Sequence, residues 1–64
     1  MNAHQEYYAS DNPEAALLTV FTDFGIPSSR LFDSYKAAES YGRYCQEELG
    51  CSFYAIMHRP EWSR

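Results

Sequence analysis

Six residues spaced four, three, four, three and four apart, Leu31, Tyr35, Ala38, Gly42, Cys45 and Leu49, constrain this chain more than any other feature. Only a helix of 3.6 residues per turn brings such positions onto one face. The spacing therefore predicts an amphipathic helix over about residues 34–49, with Tyr41 beside the stripe. Ser34 suits the N-cap, because its hydroxyl can accept an orphan N–H one turn in. Gly50 suits the left-handed position just past the end. On the outer face, Lys36, Glu39, Arg43 and Glu47 are spaced for alternating ion pairs. Gly42 costs about 1 kcal/mol against Ala in a helix interior, so its place on the inner stripe predicts close approach of a strand behind it.

An apolar stripe needs a second layer to cover it. The segment Cys51-Ser52-Phe53-Tyr54-Ala55-Ile56-Met57-His58, bounded by Gly50 and Pro60, reads as a buried strand. Phe53, Ala55 and Met57 would point to one face, and Tyr54, Ile56 and His58 to the other. Residues 13–24 admit two readings. The Leu-Thr-Val-Phe-Thr run favours a strand, while Asn12-Pro13-Glu14 resembles a helix start and Ala16, Leu17, Val20, Phe21 and Phe24 also fit one helix face. The strand reading is preferred. It lets Gly25-Ile26-Pro27-Ser28 turn the chain into a short strand from Ser29 to Phe32. The expected fold is α+β, one helix packed on a small sheet in the order strand, strand, helix, strand. The alternative is helix, helix, strand, with residues 4–10 as a partner strand. All 64 residues are expected to form one small domain, with residues 1–12 and 59–64 the most loosely ordered.

A chain this short buries only about 60% of the surface its unfolded form exposes and lacks room for an enclosed active-site cavity, which argues against an enzyme. Motifs agree with that reading: no Gly-rich phosphate loop, Gly-x-Ser-x-Gly elbow or His-Glu-x-x-His occurs. Glu47 and Glu48 are adjacent, so on a helix they diverge by about 100 degrees and cannot share a proton. Cys45, Cys51, His4 and His58 are the available soft ligands, but zinc sites take close pairs, and five residues separate these cysteines. Cys45 is expected to pack in the core as a small hydrophobe, and no cofactor or metal is expected. A disulfide to Cys51 would require the chain to reverse at Gly50. Two cysteines are too few for the framework of a secreted chain of this size, so a reducing, cytoplasmic setting is expected. No apolar window is long enough to span a bilayer, and the first residues do not read as a signal peptide.

Charge is unevenly placed. The chain is formally -4 at pH 7, and its first 29 residues contain acids but no Lys or Arg. Nucleic acid and anionic membrane reward clustered bases, so a protein with a basic surface is the better partner. Tyrosine is a favoured interface anchor, and six tyrosines in so small a body imply that some present their rings outward. Tyr7, Tyr8 and Tyr44 are expected to be exposed, and with Glu6, Asp11, Glu14 and Asp23 they form the candidate partner-binding set. Self-association through aromatics that a monomer cannot bury is the competing reading, the protein being then a monomer or weak homo-oligomer.

At residues 32–41, Phe-Asp-Ser-Tyr-Lys-Ala-Ala-Glu-Ser-Tyr, and again at residues 50–56, Gly-Cys-Ser-Phe-Tyr-Ala-Ile, the chain resembles tiny phage and mobile-element proteins that pack one helix on a short sheet. In size, acidity and aromatic content it is similar to the small anti-CRISPR inhibitors, in particular those directed at type I, type I-C, surveillance complexes. That resemblance implies a non-enzymatic, stoichiometric inhibitor that binds a basic surface of a Cascade-type effector and blocks its DNA engagement. Those inhibitors share no residue signature, so no functional position is carried over. The charge-alternating helix face departs from an extreme DNA mimic.

Overall fold

The computed structural model describes residues 2–23 and 25–58. Its elements are α1 (Ala3–Ala9), β1 (Ala16–Phe21), β2 (Ser28–Phe32), α2 (Tyr35–Glu48) and β3 (Phe53–His58). The strands form one antiparallel sheet in the order β2-β1-β3, with Leu17 opposite Leu31 on one side and Met57 on the other. α2 carries the chain from one edge of the sheet to the other, past the central β1.

The predicted long helix is present as α2. Ser34 Oγ accepts the N–H of Ala37 at 3.2 Å, and Gly50 adopts φ +76° beyond the last turn. The Cys51 N–H returns to the Cys45 carbonyl at 3.1 Å, reversing the chain into β3. On the inner stripe Ala38, Gly42 and Cys45 are buried, whereas Tyr35 and Leu49 at its ends are exposed. Gly42 does what its position predicts: a Cβ there would lie 2.5 Å from Cδ2 of Tyr54, so the bare backbone seats a β3 ring against the helix. The outer face differs from expectation. Among the described residues the only ion pair is Arg43 with Glu39 at 4.0 Å, while Lys36 and Glu47 join none. Long exposed side chains gain too little in water to offset the entropy of being held.

The segment after Pro13 forms a strand, over Ala16–Phe21, rather than a helix. What resembled a helix start is a turn: Asn12 O accepts the N–H of Ala15 at 3.2 Å across Pro13, and Asn12 Oδ1 accepts that of Glu14 at 2.9 Å. Asn and Pro at these positions build turns as readily as they start helices. Asn12 Nδ2 also donates to the Asp33 carbonyl at 3.1 Å, tying the turn to the approach of α2.

A second helix, α1, corrects the expected one-helix fold. It equally overturns the alternative in which residues 4–10 form a strand. α1 starts with a capping box, Asn2 Oδ1 accepting from Gln5 N and Gln5 Oε1 from Asn2 N, both at 2.9 Å. Seven residues are too few for a stable helix in isolation, so packing must hold it. Tyr7 supplies that packing, wholly buried with Ala15 and Leu17 and flanked by Ala3 and Leu31. The opposite face holds Ala16, Leu18 and Ala38, with Val20, Phe32, Tyr41, Tyr54 and Ile56 around them. β1 is thus covered on both faces, which explains its unbroken apolar start, Ala16-Leu17-Leu18. Residues 59–64, expected to be loosely ordered, lie outside the described residues.

Candidate functional site

The two helices cover the sheet unequally. At 1.5 Å per residue α2 is about 21 Å long and α1 about 10 Å, against roughly 20 Å for a six-residue strand. On the α1 face, burial accordingly stops after Leu17: Thr19 and Phe21 are half-buried. Next to them on β3, Phe53 is 52% exposed, Met57 39% exposed and Ala55 exposed. Phe21 and Phe53, directly paired across the strands, stack with ring centroids 4.5 Å apart and planes 5° from parallel. Tyr8, 59% exposed, reaches from α1 to Met57, its hydroxyl 3.6 Å from Sδ. Thr19 and Ser29 hydroxyls satisfy each other at 3.0 Å beside this strip. Ile26, in the β1–β2 connection at the Phe21 end, is 91% exposed. The result is a half-bare sheet face of aromatic and apolar side chains, the kind of surface that marks an interaction site.

One acidic group adjoins it. The Ser52 hydroxyl donates to Asp23 Oδ1 at 2.6 Å, which holds that carboxylate next to the Phe53 end of β3. The remaining members of the expected binding set are scattered. Glu6 is exposed on α1, and Asp11 and Glu14 are exposed in the α1–β1 connection. Asp23 lies past the other end of β1, a strand length of roughly 17 Å away. Tyr44, 48% exposed, sits on α2 across the sheet from Tyr8. Tyr7 corrects the expected exposure, because it is the anchor that holds α1 to the sheet. Its neighbour Tyr8, at an edge-on ring contact of 5.3 Å, takes the outward position instead.

A groove of about 280 Å³ opens on the other face, between α2 and β2, walled by Leu18, Val20, Tyr41 and Cys45. Arg30 lies over its rim, the guanidinium carbon 5.0 Å from the Tyr41 ring centroid and 5.7 Å from that of Phe32. One thiol, two serine hydroxyls, the Tyr41 phenol and this guanidinium are the polar groups among its lining residues, none of them a His or carboxylate that could serve as a base beside a nucleophile. Cys45 and Cys51 are both buried free thiols. Among the described residues no three His, Cys, Asp or Glu side chains are placed to hold a metal ion, and no helix is long and apolar enough to cross a membrane.

Sequence reasoning placed Phe53, Ala55 and Met57 on one strand face but took that strand as buried. The missed signal was in the first turn of the chain: Asn2 and Gln5 have capping-box spacing, and a helix beginning there has room for only two turns before Asn12-Pro13. So short a helix cannot cover a whole sheet face. No family model matches this chain, nor does any curated protein or solved structure.

Proposed function

We propose that this protein is a non-enzymatic, acidic protein-binding module that seats the bare half of its α1 face on a basic, nucleic-acid-binding surface. A type I Cascade-type complex is the proposed partner, and its DNA engagement the step obstructed. The stacked Phe21–Phe53 pair is the observation that carries this reading, because a large, rigid, half-exposed aromatic platform is what an interface anchor requires. Charge chooses the partner: Asp23 adjoins the platform, and the base-free first 29 residues give that part of the chain a field that steers it toward cations. Apolar contact would provide the affinity, and carboxylates the approach.

The test uses a purified type I-C Cascade-type complex and labelled target DNA. Stoichiometric protein is expected to abolish DNA binding, with an affinity that weakens as salt rises. Phe53→Asp is expected to weaken inhibition at least tenfold, and Asp23→Lys to slow association. DNA binding that persists in molar excess of protein would overturn the reading.

A further inference from the structure

We propose that the outer edge of β3 pairs with the same edge of a second copy, joining two three-stranded sheets into one antiparallel six-stranded sheet. This goes beyond partner binding, because it uses the backbone edge of the strand and leaves the aromatic face open. β3 ends the sheet order β2-β1-β3, so its outer N–H and C=O groups have no strand beside them among the described residues. Edge strands are normally protected by charge, proline or irregularity. β2 has such protection in Arg30, whereas Phe-Tyr-Ala-Ile-Met-His in β3 contains no acid, no Lys or Arg and no proline.

The strand is also complementary to itself. Antiparallel pairing about a two-fold axis through Ala55 keeps like faces together, since opposed residues then have numbers summing to 110. Phe53 meets Met57 of the second copy, an aromatic–thioether contact of the favoured kind, and Tyr54 meets Ile56. Ala55 meets itself, and its methyl group is small enough for the axis. One residue beyond the ladder, His58 falls across from Ser52, whose hydroxyl is bound to Asp23, so an imidazole faces a carboxylate at both ends. The net charge does not oppose this contact locally, because β3 itself carries neither acid nor Lys or Arg. A five-residue ladder buries well under the roughly 800 Å² per partner of a standard interface, so the dimer is weak and forms between micromolar and millimolar protein.

Sedimentation equilibrium over that range is expected to show the average mass rising from 7.4 kDa toward twice that value. A mass that stays at the monomer throughout overturns the proposal, whether or not the protein still inhibits its partner. Register is read by cross-linking with oxidised glutathione. Across an antiparallel pair the α-carbons lie about 4.5 or 5.5 Å apart, within disulfide reach. Ala55→Cys is expected to give a covalent dimer and Phe53→Cys almost none, with the wild type, whose thiols are buried, as the control. Equal cross-linking at both positions overturns the two-fold axis. Ala55→Lys, at a position exposed in the monomer, is expected to weaken association at least tenfold without lowering the melting temperature.

Discussion

At the scale of single residues, two glycines test opposite physical effects. Gly42→Ala would gain about 1 kcal/mol of helix propensity. Its methyl would also be forced into Tyr54, 2.5 Å from Cδ2, and overpacking of that kind costs about 1–3 kcal/mol. The collision should dominate, with a lower melting temperature in thermal unfolding. Gly42→Ala combined with Tyr54→Ala should lose less than the two separate changes added together. A stabilised Gly42→Ala protein would show that the ring does not lie against the helix. At Gly50 there is open space but φ is +76°, so Gly50→Ala is expected to cost about 1 kcal/mol through backbone strain alone. At roughly 4–8 °C per kcal/mol for a chain of this size, calorimetry resolves both changes. The thiols of Cys45 and Cys51, both buried, should react with a soluble disulfide reagent only as fast as the structure opens. Immediate labelling of either would contradict its burial.

At the scale of elements, the two helices should respond differently to loss of their caps. Ser34→Ala removes the bond to the Ala37 N–H and is expected to cost about 1 kcal/mol. α2 should survive this, because it spans the sheet and anchors Ala38, Gly42 and Cys45. Asn2→Ala removes the acceptor for the Gln5 N–H and leaves only the bond from the residue 2 backbone N–H to Gln5 Oε1, at the start of a helix only seven residues long. Its global cost should be similar, but hydrogen exchange should show α1 amides opening well before the strands. Exchange of α1 amides as slow as that of β1 would mean that Tyr7 alone holds the helix down. The sequence disclosed α2 through a stripe repeated over four turns. α1 was missed because a two-turn helix leaves hardly any periodicity, and the only local sign of it was the pair Asn2 and Gln5. Asn12 and Pro13 misled in the other direction, since a turn and a helix start draw on the same residue types.

At the scale of the whole molecule, the mismatch between a short helix and a full-length strand separates structural from surface residues on a single sheet face. Leu17→Ala, beneath α1, is expected to cost about 2–5 kcal/mol in denaturant unfolding. Phe53→Ser, on the same face but 52% exposed, should cost only about 1 kcal/mol, chiefly its stack on Phe21. Equal losses would mean that the bare half is covered. By itself the sequence determined α2 and its cap, the two faces of β3 and the role of Gly42, and it favoured a strand after Pro13 without deciding it. Each rests on periodicity, alternation or one residue's steric need, which are local properties. Only the tertiary structure decided that Tyr7 is buried and Phe53 open, that Asp23 lies a strand length from Glu14, and that β3 is an edge. Those outcomes depend on which element reaches across which face of the sheet, and a residue's own neighbours in the chain carry no record of that.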